Sequence, residues 1–289
     1  MALLHVNFYS SVLRMASSMD VILPETSQGI GVDGQPPWDG KSLLPALYLL
    51  HGTTDDHTIW QRRTSLERYC AGRRLCVIMP NGHLSAYTNQ KYGHRYLDFI
   101  TEELPDICSK MFRISTARED TFIAGLSMGG YGALKAGLNY PERYAMVGGF
   151  SSGVDRMVLI PKKWQNFDDP GDFEELRRSD PALWETLVWF HRNFGSPEDY
   201  RNDGVNNLFR VVPRQAIAGA KFPRLYLACG TDDTLAWEPN VRFRALLEEY
   251  HVPYEWEQTR GVHEWRLWDI FIQRFLDRLP IEGNYSVIV

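Results

Sequence analysis

Short apolar runs alternate with amphipathic stretches along most of this chain. The runs "PALYLLHG" (45–52), "LCVIMPNG" (75–82), "TFIAG" (121–125), "YAMVGGFSSG" (144–153) and "PRLYLACG" (223–230) are nearly continuous in apolar residues. Each ends in or next to glycine, as strands buried on both faces of a sheet do. "SSMDVILP" (17–24) and "YEWEQT" (254–259) read as further strands. Helical patterns fall between them. "TIWQRRTSLERYCAG" (58–72) has Gly72 as its stop. "GHRYLDFITEELPDICSKMF" (93–112) must kink or restart at Pro105. "GYGALKAGLNYP" ends before Pro141, and two more helices are expected over 238–250 and 264–278. Strands alternating with helices predict an α/β fold, a mainly parallel central sheet flanked by helices.

Two stretches break this rhythm. "TSQGIGVDGQPPWDGKS" (26–42) is rich in glycine, proline and polar residues and reads as a loop or hairpin tip. The long connection from Gly153 to about Lys221 carries Trp164, Trp184, Trp189, Phe190, Phe194 and Tyr200 among its aromatics. Asp180-Pro181 supplies an N-cap and a first-turn proline, and Gly195 a stop, so a helix is expected between them. The segment is either a cap or lid over the sheet edge or an added helical layer packed for stability. The length suits one domain, 1–289, with 153–220 inserted as the cap.

Composition narrows the function classes. A net charge of −5 leaves no basic footprint, which disfavours nucleic acid and an anionic membrane surface. No apolar run approaches the length of about 18 residues needed to span a bilayer. The N-terminus lacks the early basic residues and sustained apolar core of a signal peptide. Cys70, Cys76, Cys108 and Cys229 form no CxxC pair and lie in apolar surroundings, so buried free thiols and a cytoplasmic location are expected. The composition allows a homo-oligomer without requiring one.

The chemistry-bearing motif is Gly125-Leu126-Ser127-Met128-Gly129, a G-x-S-x-G sequence between an expected buried strand and an expected helix. A sharp strand-to-helix turn of this kind forces the serine into a strained conformation and leaves no room for side chains on its neighbours. The helix that follows points its first N–H groups at the reacting centre. The serine needs a base and the base an orienting acid, in the chain order Ser, Asp or Glu, His. His191, His251 and His263 follow Ser127. His191 lies in the helix pattern of the inserted segment, and His251 ends another helix. His263 sits between the last strand and the last helix, where a loop projects over the strand ends. Asp232 and Asp233 both follow "PRLYLACG", and spacing alone does not separate them. The oxyanion requires two N–H donors, expected at Met128 and at Thr53 in the loop "HGTT". His51 is read as a structural loop histidine, and no metal is expected from "HGTTDDH", which lacks a ligand spacing such as HExxH. Gly52, Leu126 and, from the inserted segment, Trp189 are assigned to the substrate pocket.

With these residues in place the chain resembles the esterase D-type branch of the α/β-hydrolases. Within that branch it is most like the bacterial tributyrin esterases, short-chain acylesterases of the EstA type. The likeness rests on "SSMDVILPE", "LYLLHG", "VIMPNGHLSAYTN", "YLDFITEELP", "AGLSMGGYGALKAGL", "LACGTDDTLAWEPNVRF" and "GVHEWRLWD" in that order. It implies an α/β-hydrolase fold, Ser127 as nucleophile, His263 as base and Asp233 rather than Asp232 as acid. It also implies that Gly52-Thr53 forms the oxyanion loop and that no cofactor is used. The expected activity is hydrolysis of short-chain acyl esters, acetyl to butyryl, with a small-molecule ester as the partner. Hydrolysis of S-formylglutathione-type thioesters and acyl transfer use the same machinery. A ligand-binding module on a hydrolase scaffold is the non-enzymatic alternative.

Overall fold

The computed structural model describes residues 1–25, 38–169 and 173–281. Most of the 26–42 loop therefore lies outside the described residues; in its last part, Asp39 accepts from the backbone N–H groups of Lys41 and Ser42 at 2.8 Å each. The strands are β1 (Ala2–Ser10), β2 (Met15–Leu23), β3 (Ala46–Leu50), β4 (Cys76–Pro80), β5 (Thr121–Leu126), β6 (Met146–Phe150), β7 (Arg224–Gly230) and β8 (Tyr254–Thr259). They form one eight-stranded sheet in the order β1-β2-β4-β3-β5-β6-β7-β8. β1 and β2 are antiparallel to their neighbours, and every pairing from β4 to β8 is parallel.

β3, β4, β5 and β6 are buried at every residue. Alternate side chains serve two cores: Tyr48 and Leu50 face one, Leu47 and Leu49 the other. The first face carries α3 (Tyr96–Asp98), α4 (Leu104–Met111), α5 (Met128–Asn139) and α10 (Trp237–Glu249). The second carries α1 (Ile59–Arg63), α2 (Leu66–Cys70) and α11 (Trp265–Arg278). Between β6 and β7 run α6 (Glu174–Ser179), α7 (Pro181–Phe194), α8 (Pro197–Asn202) and α9 (Leu208–Ile217), whose buried side chains join the first core. The expected caps of α7 are present: Asp180 accepts from the Leu183 N–H, and Gly195 ends the helix at φ 82°.

Three local features differ from expectation. β1 was not anticipated, although Leu4, Val6 and Phe8 alternate with exposed His5, Asn7 and Tyr9 and pack on the core. The single helix expected over 58–72 is two short ones, α1 and α2. Thr64 between them is extended, its hydroxyl donating to the Trp60 carbonyl at 2.6 Å and accepting from the Leu66 N–H at 3.2 Å. The interruption at Pro105 takes the form of a π-helical segment, Phe99–Glu103, leading into α4. Proline cannot donate to the carbonyl four residues back, and the Arg143 guanidinium donates to that Thr101 carbonyl instead. All four cysteines are buried and unbridged. Among the described residues no helix is long and apolar enough to cross a membrane.

Candidate active site

The loops that leave the carboxyl ends of β3, β5, β6 and β7 converge at one end of the sheet, where ligands bind in open α/β folds. Ser127 terminates β5 with φ 50° and ψ −112°. Its N–H donates to the Phe150 carbonyl at 2.8 Å, and its own carbonyl accepts from Tyr131 and Gly153, each at 3.0 Å. The turn depends on glycine. A Cβ on Gly129 would lie 2.3 Å from the Leu50 carbonyl oxygen, and one on Gly125 2.5 Å from the backbone of Gly129.

His263 Nε2 is 3.0 Å from Ser127 Oγ, and His263 Nδ1 is 2.7 Å from Asp233 Oδ2. The other carboxylate oxygen of Asp233 accepts from the N–H groups of Leu235 at 3.1 Å and Ala236 at 2.9 Å. Burial alone would raise the Asp233 pKa; the hydrogen bond and charge of His263 and the Ala236 N–H outweigh it and hold the carboxyl below its ordinary value. Asp232 is exposed and faces Arg260 at 3.4 Å, away from the imidazole. Trp268 stands edge-on to the His263 ring at 4.9 Å. The β7 and β8 loops are brought together by a glycine pair. Gly261 adopts φ 155°, its carbonyl accepts from the Asp232 N–H at 3.0 Å, and a Cβ on Gly230 would lie 2.3 Å from that oxygen.

His51 is fully enclosed below the site. Its Nε2 accepts from the Gly82 N–H at 2.8 Å and its Nδ1–H donates to the Gly52 carbonyl at 2.7 Å. Burial pushes its pKa down to about 4, so the ring is neutral at pH 7. That fixes the loop carrying Gly52 and Thr53, in agreement with a structural role for this histidine. His191 stacks on Tyr92 at 4.7 Å, and His251 is exposed beyond the end of α10; neither reaches Ser127.

A cavity of about 810 Å³ opens over the serine. Gly52, Thr53, Leu126, Ser127, Trp189 and His263 all line it. Met128 does not; it is buried as the first residue of α5, below Ser127. The stretch between β6 and β7 supplies one wall. Trp189 on α7 donates its indole N–H to the Leu84 carbonyl at 2.9 Å, which stitches that helix to the loop after β4. The sequence reading missed Trp265 and Trp268, which also line the cavity. Their signal was their position, the first of them two residues after His263 and the pair three residues apart at the start of α11. Among the described residues no cluster of three or more His, Cys, Asp or Glu side chains is arranged to hold a metal ion.

The family model Esterase, described as "Putative esterase", matches residues 25–279. The chain belongs to the Esterase family. Its likeness to an acetyl esterase of Caldicellulosiruptor saccharolyticus is 28% identity over 277 residues, 94% of this chain and 96% of that protein. Two Staphylococcus aureus structures are each 30% identical with a TM-score of 0.75. One is the fluorophosphonate-binding serine hydrolase FphF in its substrate-bound form, with 95% of this chain and 96% of that chain covered. The other is the S-formylglutathione hydrolase FrmB, covered over 95% of this chain and 97% of that one. This Esterase-family chain is thus a carboxylic ester hydrolase of the serine type on an α/β-hydrolase fold.

Proposed function

We propose that the protein hydrolyses short-chain acyl esters, acetyl to butyryl, through Ser127, His263 and Asp233. The observation that carries this is the continuous chain of hydrogen bonds from Asp233 through His263 to the Ser127 hydroxyl. His263 takes the Ser127 proton as the oxygen attacks the ester carbonyl, and Asp233 stabilises the imidazolium that forms. The N–H groups of Thr53 and Met128 receive the oxyanion, each contributing about 2.7–4 kcal/mol at the transition state; the start of α5 adds its own favourable dipole. The alcohol leaves with the proton from His263, and water hydrolyses the acyl-enzyme by the same route.

The preference for short acyl groups, in the manner of a tributyrin esterase, is supported by the likeness to an acetyl esterase. Residues 153–220 are read as a cap on a single 1–289 domain, with α7 held in place by the Lys91 and Tyr92 N–H bonds to the Asn193 and Arg192 carbonyls at 3.1 and 3.0 Å. A series of p-nitrophenyl esters from acetate to decanoate tests the acyl assignment. The expected kcat/KM maximum lies at four carbons or fewer, and a maximum at eight or more overturns it. Thioester hydrolysis is the second reading, favoured by the likeness to FrmB.

A further inference from the structure

An acyl group of two to four carbons fills a small part of a cavity of about 810 Å³, a volume in the range that holds drug-sized ligands. The remainder must receive the leaving alcohol, and its lining is acidic on balance. Among the described residues, Asp55, Asp155, Glu185 and Glu264 line it, against Arg156 alone. Arg156 forms no ion pair within 4.0 Å among the described residues, so it stands as one cation against these carboxylates. It is buried, its Nε–H donates to the Gly153 carbonyl at 2.8 Å, and its guanidinium lies over the Tyr131 ring at 4.9 Å. Asp155 is balanced by Arg242 at 2.9 Å. Among the described residues, Asp55, Glu185 and Glu264 form no ion pair within 4.0 Å; Arg62 and Arg63, which act on Asp55, are not part of the lining. Three indoles, Trp189, Trp265 and Trp268, face the same space. Aromatic faces attract cations and repel anions, and a cleft lined by charge of one sign focuses that field on an entering substrate.

We propose that the leaving-group side of this cavity selects esters of cationic alcohols over neutral ones and neutral over anionic ones, with Glu185 on α7 as a specificity-determining charge. The inference rests on the serine-esterase reading of the same site. It also argues against glutathione thioesters as good substrates, because their two carboxylates would enter a cavity whose described lining carries four carboxylates against one guanidinium.

Three acetates of nearly equal shape test it: acetylcholine, its uncharged isostere 3,3-dimethylbutyl acetate, and the anion 2-acetoxyethanesulfonate. Acid release is followed in a pH-stat at low ionic strength. The kcat/KM of acetylcholine is expected to exceed that of the sulfonate by at least about tenfold, with the neutral ester between. The ratio should shrink in 0.5 M salt, where screening reaches within a few ångströms. Glu185→Lys should lower it at least about threefold at low salt. A ratio of one or below, or a ratio insensitive to both salt and Glu185→Lys, overturns the inference and leaves the esterase reading standing. If Ser127→Ala hydrolyses the three acetates as the wild type does, the parent reading fails and the inference with it.

Discussion

Ser127 is held in a left-handed conformation that costs about 1–3 kcal/mol, and the two glycines flanking it fit where no side chain would. This much was legible in five residues, because the motif's chemistry and its steric demands coincide. The acid was less legible. Asp232 and Asp233 are neighbours, and sequence spacing is blind to which carboxylate the loop turns inward; only the resemblance favoured Asp233. In the structure Asp233 is enclosed with three hydrogen bonds to its carboxylate, while Asp232 faces solvent and Arg260. Asp233→Asn should therefore lower kcat on p-nitrophenyl acetate about ten-thousandfold, by presenting the wrong partner to the imidazole. Asp232→Asn should stay within about threefold of wild type, since exposed pairs of this kind contribute little. Equal losses in the two variants would refute the assignment.

At the scale of elements, the buried strands and most helices were readable because a residue buried on both faces of a sheet must be apolar. What escaped were features set by long-range partners. Before Pro105 the π-helical segment is met by Arg143, far along the chain, whose guanidinium donates to the Thr101 carbonyl. The meeting of the Asp233 and His263 loops depends on Gly230 against Gly261, a contact that neither glycine announces alone. β1 did carry a period-two signal, which composition-level reading of the N-terminus passed over. In the stretch between β6 and β7, α7 forms a cavity wall through Trp189. Trp189→Ala should raise KM for p-nitrophenyl acetate several-fold while kcat changes less than about threefold, as expected where uniform binding is lost. A fall in kcat with KM unchanged would place Trp189 in the transition state instead.

At the scale of the whole molecule, stability and the site share buried groups. His51 is neutral in the folded state with its pKa pushed down to about 4 by burial, against an ordinary value of 6.5. Its contribution is fully present above pH 6.5 and is lost as pH falls toward 4, amounting to about 2 kcal/mol by pH 5. His83, also lowered by burial, acts in the same direction, and Asp233 does so below the carboxylate range. Urea unfolding of the wild type should show a lower midpoint at pH 5 than at pH 7.5 with an unchanged slope. A midpoint that is flat or rises on acidification would contradict this. The net charge of −5 and the acidic cavity were visible at different levels: the first in the sequence, the second only once chain-distant Asp55, Asp155, Glu185 and Glu264 shared one lining.

Everything proposed for this site turns on the Ser127 hydroxyl as the attacking group. The most direct test labels the intact protein with a fluorophosphonate probe and maps the adduct by mass spectrometry, alongside p-nitrophenyl acetate hydrolysis by Ser127→Ala. One adduct is expected, on Ser127, with activity lost in proportion to labelling. A folded Ser127→Ala variant should be unlabelled and slowed by about a thousandfold or more. Labelling elsewhere, or wild-type hydrolysis by the variant, would contradict it.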